Sequence, residues 1–485
     1  MSVEQLDIQT CESARLSRDA RFDGKFFTAV LSTGIFCRPI CPARPPKAEN
    51  VRYYLSAEQA LLAGYTPCKR CFPEQAATKN LPLKLKKIIN NFDYKQDTLA
   101  SIASKHQLSS RQLQRLFNQH FGISPSEYFQ QQRLLLARKL LSTTELTISD
   151  ICFASGFNSI RRFNEAIKHC YQCSPKALRK RHASPLNENT IEIILSYRPP
   201  FDWSLMLEFF HYRQIAGVEY VTDNSYQRSI AIDDCTGWLA IRHHVKKSAL
   251  VMQVSLSDFS YLNNVIIRVR RMFDLDADIN LIHKQLNTHP KLKQVIQRFP
   301  GLRLPGSWDI FEFSIRAILG QQISVKAATT YAERICQQYG KHFAHLPEAT
   351  SLTFPDINSL VNTDFDHLGL TRSRRETLQR WVKYFQQNHE LLTNYQSLEE
   401  LEKQLCQLKG IGPWTINYIA MRGLSDPDAF PSADLGIIKA LTEQDTTPKN
   451  KEILALSQQW RPWRAYAAIY LWHSLKPLNE SQQQD

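Results

Sequence analysis

Four cysteines near the N-terminus constrain this chain more than any other feature. Cys37 and Cys41 have three residues between them, twenty-six residues follow, and Cys68 and Cys71 close the set with two residues between them. Each close pair lets two thiolates converge from one turn, and two such pairs complete a tetrahedral four-sulfur shell of the kind zinc takes. The spacing predicts a small domain over residues 1–78, folded around Zn2+ on Cys37, Cys41, Cys68 and Cys71. Spacing leaves open whether the site reacts, since a zinc with four cysteine ligands is ordinarily closed. The neighbours favour reactivity. Arg38, Arg44, Lys47, Lys69 and Arg70 stand near the ligands and would draw an anionic backbone toward a thiolate kept deprotonated at neutral pH. A second C-x2-C, Cys170 and Cys173, has no partner pair nearby and reads as structural.

The chain has eleven cysteines over 485 residues. That odd, dispersed count fits reduced thiols or a metal site in the cytoplasm better than a disulfide framework. No apolar run approaches the roughly 18 residues of a membrane span, and the N-terminus MSVEQLDIQTCES lacks a basic head followed by an apolar core. No membrane partner is expected. The length implies several domains, and the formal charge of +14 is placed unevenly among them. Lys+Arg against Asp+Glu is 10 against 8 in residues 1–78, 18 against 6 in 79–183 and 32 against 32 in 184–485. A basic middle with apolar residues at helical spacing predicts contact with the phosphates of double-stranded DNA.

Polar, proline-bearing stretches at 78–84 and 182–190 read as linkers, and between them the pattern repeats at an offset of about fifty residues. DTLASIASKHQLSSRQLQRLFNQHFGISP places Leu99, Ile102, Ala103, Leu108, Leu113, Leu116 and Phe117 at helical spacing, with a turn near 107–109. TISDICFASGFNSIRRFNEAIKHCYQCSP does the same with Ile148, Ile151, Cys152, Phe157, Phe163 and Ile167 around Gly156. Each copy predicts two helices joined by a tight turn, with Arg111 and Arg115, or Arg161 and Arg162, facing outward on a helix able to enter a major groove. The paired units, their linking helix and the Ser-Pro at 124–125 and 174–175 resemble the DNA-binding domain of AraC-type transcription activators. Glu165 stands where the first unit has Arg115.

TAVLSTGIFCRPICPARPPKAENVRYY with AGYTPCKRCFPE is similar to the N-terminal domain of the Ada family of adaptive-response proteins. The resemblance implies that Cys37, the first cysteine of FCRPIC, accepts a methyl group from a DNA methylphosphotriester while it remains a zinc ligand, and that the reaction is stoichiometric. Loss of a thiolate charge then raises affinity for DNA. The Pro-Cys-His-Arg motif of the family's second acceptor domain does not occur here.

Beyond 184 the segments IEIILS, SIAI, GWLAIRHHV and ALVMQVSLS alternate as strands mixed with helices, predicting an α+β subdomain over 184–300, and 301–485 reads as helical. In LKGIGPWTINYIAMRG, Gly410 and Gly412 let the chain turn between two helices and free backbone N–H groups for a phosphate oxygen. That hairpin, Asp434 about twenty residues on, and the segments RPPFDWSLML, GLRLPGSWDIFEFSIRAILGQQISVKAA and WRPWRAYAAIYLW resemble the AlkA-type alkylation-repair members of the helix-hairpin-helix DNA glycosylase superfamily. The resemblance implies Asp434 as the carboxylate that stabilises an oxocarbenium-like sugar, and Trp414, Tyr418 and Trp472 around a flipped base. Trp414 occupies the place of the Schiff-base lysine of bifunctional members, implying a monofunctional enzyme. After ILGQ close relatives carry an apolar wedge; here Gln322 stands there beside Gln321. The whole reads as a multidomain α+β chain: a four-cysteine zinc domain, an all-α double helix-turn-helix, then an α+β subdomain plus an all-α helix-hairpin-helix glycosylase. The expected roles are damage sensor, transcription activator and 3-methyladenine-type glycosylase, acting as a monomer with RNA polymerase as a further partner. The rival is a regulator whose glycosylase-like domain only grips DNA.

Overall fold

The computed structural model describes residues 7–476 apart from 20–21, 69, 72, 74–80, 91, 95–96, 172, 180–189, 396 and 444–445. Lys69 and most of the two expected linkers lie outside the described residues. Two compact units form, one of Met1–Glu188 with Phe259–Asn263, the other of Asn189–Asp258 with Asn264–Asp485. No helix among the described residues is long and apolar enough to cross a membrane.

In the first unit β1 (Phe27–Val30), β2 (Ile35–Cys37), β3 (Val51–Tyr54) and β4 (Thr66–Pro67) form a sheet of order β3-β1-β2-β4 over a core of Phe27, Ala29, Phe36, Ala57 and Ala60. β2 runs parallel to β4, with Phe36 opposite Pro67, and the Cys68 N–H donates to the Phe36 carbonyl at 3.0 Å. This long-range pairing sets the two cysteine pairs side by side.

The repeat is as expected from the sequence. Helices Leu99–Lys105 and Ser110–Phe121 form one unit, Ile148–Ala154 and Ile160–Tyr171 the other, and Pro125–Thr143 links them. Side chains of Thr98, Ser109, Ser124 and Thr147 cap their helices in reciprocal capping boxes. The two Ser-Pro pairs are helix starts: Ser124 and Ser174 accept from backbone N–H groups, and Pro125 and Pro175 occupy positions that need no donor. Both turns close alike, Leu108 N–H on Ala103 O at 2.8 Å and Phe157 N–H on Cys152 O at 3.0 Å. Leu113 and Phe117, like Phe163 and Ile167, are buried, which leaves Arg111, Arg115, Arg161 and Arg162 exposed.

The second unit holds an antiparallel sheet of order β5-β9-β8-β7-β6, made of β5 (Ile191–Ser196), β6 (Glu219–Val221), β7 (Ser225–Ile232), β8 (Cys235–His244) and β9 (Ala249–Leu256). β5 is buried at every second residue, as a strand with one covered face should be. One apolar core then runs through residues as far apart as Ile215 and Leu471. Arg228 on β7 pairs with Glu312 at 2.9 Å, and Arg316 with Glu219 at 3.0 Å. Burial raises the Glu219 carboxyl, but the charges of Arg316 and Arg228 outweigh it and hold it below its ordinary range. This network fixes the helix Ile310–Leu319 on the sheet, and that helix delivers Phe313 and the following Gln321 to the site.

Candidate functional site

Cys37 ends β2, Cys41 follows a turn closed by its N–H on Arg38 O at 3.1 Å, and Cys68 and Cys71 follow β4. The four Sγ atoms lie within 4.8 Å of one another, and Cys41 and Cys68 Sγ are 4.0 Å apart. A tetrahedral ion with sulfurs at about 2.3 Å spaces them by about 3.8 Å, so the donor set fits a metal of zinc's size. Backbone N–H groups of Arg38 and Arg70 donate to Cys71 Sγ at 3.3 Å and Cys68 Sγ at 3.4 Å, outer contacts that orient ligands. Cys41, Cys68 and Cys71 are buried, whereas Cys37 is half-buried. Of the surrounding cations Arg44 is exposed. Arg38 is engaged within the fold: its Nε donates to Asp23 Oδ1 at 2.7 Å and its Nη1 to Cys71 O at 3.3 Å. Cys170 and Cys173 belong to no such cluster among the described residues.

On the helix-turn-helix faces the arginines are not equivalent. Arg161 pairs with Glu165 at 3.1 Å, one turn along the same helix. Arg115 occupies the equivalent place to Glu165, so the first unit presents the more positive face.

The second unit gathers Asp434, Trp414, Tyr418 and Trp472 into one constellation. Asp434 caps the helix Leu435–Leu441: N–H groups of Gly436 and Ile437 donate to its Oδ1 at 2.8 and 3.2 Å. The Trp472 indole donates to the same oxygen at 2.7 Å, and the Trp414 indole to Oδ2 at 2.9 Å. Four N–H donors thus lock the carboxylate in one orientation. Tyr418 stacks on Trp414 with ring centroids 5.1 Å apart and meets Trp472 edge-on at 6.5 Å.

Gly410 and Gly412 serve different purposes. Gly410 has φ +95°, and a Cβ there would lie 2.2 Å from Thr377 Oγ1. Gly412 has an extended backbone at φ −102° and open space where a Cβ would be, directly before the helix Pro413–Tyr418. Gln321 is tied to this hairpin, its Nε2 donating to Gly410 O and Thr415 Oγ1, both at 2.9 Å. Gln322 is exposed at the turn tip with φ 57°.

Sequence reasoning missed Phe209, Arg213, Phe313, Arg422 and Gly436. Arg422 lies against the rings of Phe209, Tyr418 and Trp472. A Cβ at Gly436 would sit 2.7 Å from Trp472 Cδ1, so the glycine admits the indole to Asp434. Only the apolar run MLEFFHYRQ hinted at Phe209, and nothing in it distinguishes a pocket ring from a core ring.

Four family models match the chain: the metal binding domain of Ada over residues 10–74, a helix-turn-helix domain over 102–181, the AlkA N-terminal domain over 192–309, and the HhH-GPD superfamily of base excision DNA repair proteins over 315–464. Fold and site thus define a base-excision module joined to a DNA-binding, metal-binding module. The "Probable bifunctional transcriptional activator/DNA repair enzyme AlkA" of Mycobacterium tuberculosis is 35% identical over 490 residues, 98% of each chain. DNA-3-methyladenine glycosylase 2 of Escherichia coli is 31% identical over 283 residues, 58% of this chain and 96% of its own. The 3-methyladenine DNA-glycosylase of Archaeoglobus fulgidus shares the fold over 58% of this chain and 97% of its own, with TM-score 0.51 at 21% identity. The chain belongs to the family of bifunctional transcriptional activator/DNA repair enzymes.

Proposed function

We propose that the chain joins two alkylation-repair chemistries to transcription activation. The Cys37 sulfur attacks the methyl carbon of a DNA methylphosphotriester; the C–O bond breaks, its electron pair stays on oxygen, and a phosphodiester anion and a thioether result. Zn2+ on Cys37, Cys41, Cys68 and Cys71 supplies the positive charge that keeps the sulfurs deprotonated. The greater exposure of Cys37 among the four supports its assignment. The thioether is not reversed, so each domain acts once. Losing one negative charge strengthens its hold on DNA, with Arg38 and Arg44 near the thiolates and Arg111, Arg115, Arg161 and Arg162 on the helix-turn-helix faces. The activator works as a monomer in the reducing cytoplasm and contacts RNA polymerase.

The second chemistry is hydrolysis of the N-glycosidic bond of a flipped alkylated base. Asp434, held by its four donors, stabilises positive charge developing at the sugar. A cationic base such as 3-methyladenine leaves as a neutral molecule and needs no general acid. Gly410, Gly412, Gln321 and Gln322 meet the DNA backbone and the gap left by the flipped nucleotide. With Trp414 donating to Asp434 rather than an amine in its place, the enzyme is monofunctional and leaves an abasic site.

The observation that carries this half is the Asp434 carboxylate seated between two indole donors beside a stacked tyrosine. Incubation with methylated duplex DNA tests both halves: free 3-methyladenine and a methyl on Cys37 are the expected products. Asp434→Asn should abolish the first alone and Cys37→Ser the second alone. Full base release by Asp434→Asn, or a methyl on another residue, refutes the corresponding half. A chain that only grips DNA through this domain would release no base.

A further inference from the structure

The turn that carries Gln322 is fastened from behind. It joins the helix Ile310–Leu319 to the helix Val325–Tyr339, and Gln322 holds φ 57° within it. A residue other than glycine keeps that left-handed backbone only where its surroundings fix it. The fixing comes through Gln321. Its side chain donates to Gly410 O and Thr415 Oγ1, both at 2.9 Å, and its carbonyl accepts from Nη2 of Arg374. That carbonyl belongs to the planar peptide joining 321 to 322, so a guanidinium holding the oxygen fixes the plane from which the φ of Gln322 is measured.

Arg374 stands in the first turn of the helix Arg372–Thr393, where residues three apart share a face. Arg374, Thr377 and Arg380 form such a row. Buried Thr377 borders Gly410, whose Cβ position lies 2.2 Å from Thr377 Oγ1. Arg380 Nε donates to Lys409 O at 3.1 Å, and its Nη2 to Thr377 Oγ1 at 3.3 Å. One face of one helix therefore fastens both the hairpin and the turn. The other arginines of that first turn are used differently: Arg372 pairs with Glu376 at 2.9 Å, and Arg375 pairs with Asp366. Half-buried Arg374 gives its donor to a carbonyl instead, a charge-assisted bond stronger than a neutral one. The residue it fixes is exposed. Holding an exposed side chain in a costly conformation adds no packing to the fold, so the geometry serves a partner outside the chain.

We propose that Arg374 is a positioning residue for base flipping: through the Gln321 carbonyl it sets Gln322 in the geometry that enters the gap left by the flipped nucleotide. The proposal deepens the glycosylase reading and rests on it. Arg374 acts through Gln322 and touches neither base nor sugar. A residue set before DNA arrives loses little conformational freedom on entering the stack, so more of the bound lesion is flipped and release is faster. Thr377 and Arg380, on the same face, tie that entry to the hairpin.

The test is a double-mutant cycle on single-turnover release of 7-methylguanine from duplex DNA by the full chain, read at saturating enzyme so that binding losses do not enter. Arg374→Met should slow release about tenfold, the effect of one hydrogen bond. Arg374→Lys, which can still donate to the carbonyl, should recover most of the rate. Gln322→Ala should slow release by a similar factor, and the double variant should fall within about twofold of the slower single variant, because the two residues act as one unit. Slowing in the double variant equal to the product of the single effects overturns the proposal, as does a wild-type rate in either single variant. Should Arg374→Met melt far below wild type, Arg374→Gln takes its place in the cycle and the same outcomes decide. A wild-type chain that releases no 7-methylguanine fails the glycosylase reading and the proposal with it, whereas release with independent effects fails the proposal alone.

Discussion

Gly436→Ala isolates the contact on which the carboxylate's orientation depends. The new Cβ would stand 2.7 Å from Trp472 Cδ1 and 3.0 Å from both Trp472 Nε1 and Asp434 Oδ1. Ordinary contact begins near 3.4 Å, so the indole must retreat by at least about 0.7 Å. The backbone of the helix Leu435–Leu441 cannot yield, because its first N–H groups are bonded to Asp434. A retreat of that size lengthens the 2.7 Å indole bond to about 3.4 Å, beyond a useful hydrogen bond. A hydrogen bond to a charged group contributes about 1.5–3 kcal/mol, and if that energy acts on the transition state the rate falls about ten- to hundredfold. Helix propensity works the other way on stability, where alanine gains up to about 1 kcal/mol over glycine. The expected signature is a slow enzyme with a melting temperature close to wild type. The assay is single-turnover release of 7-methylguanine, with melting followed by near-ultraviolet circular dichroism. Release within twofold of wild type would refute the assignment of Trp472 as a support for Asp434.

Gly410→Ala should lower stability by about 2 kcal/mol or more in denaturant titration, since it meets both a left-handed backbone and the Thr377 side chain. Gly412→Ala, built into open space, should leave the melt unchanged and weaken binding to abasic duplex; equal melts for the two would refute the division of labour at the hairpin. Arg115→Glu should flatten the salt dependence of duplex binding by about one phosphate contact, a slope change near 0.9, while Glu165→Arg steepens it by the same amount; fluorescence anisotropy against salt concentration decides. Burial raises the Asp274 carboxyl from 3.8 to about 7, with Arg303 opposing. An acid raised in this way contributes stability that is present below its unfolded value and is lost as pH rises through about 7. Asp274→Asn should gain on wild type between pH 5 and pH 8, by at most about 3 kcal/mol; a pH-independent difference in melting would refute this.

The local chemistry was legible in the sequence, and the reason is the short range over which it is written. Capping serines and threonines, prolines at first helical positions and a three-to-four-residue apolar period specify the helix-turn-helix units wherever they stand, and the close pairing of cysteines specifies convergent sulfurs. Even the weakness of the second unit's basic face was visible, because Glu165 stands where the first unit has Arg115; the structure adds that Glu165 pairs with Arg161. The hairpin glycine pair and Asp434 were legible through resemblance, with Trp414, Tyr418 and Trp472 as companions.

Tertiary structure alone decided what these groups face. The parallel pairing of β2 with β4 joins the cysteine pairs, and Arg38, next to Cys37 in the sequence, turns out to be held by Asp23. Gln321 proves to be a brace of the hairpin, which leaves Gln322 as the exposed residue of the pair. Phe209 reaches a wall shared with Trp472 across more than 260 residues of chain. Arg422 is buried against Phe209, Tyr418 and Trp472, where the charge of Asp434 favours its own, because distant segments close around it. Sequence periodicity reports which face of an element is apolar, whereas the sign of a pocket depends on groups brought together from distant segments, and no local pattern records that sum.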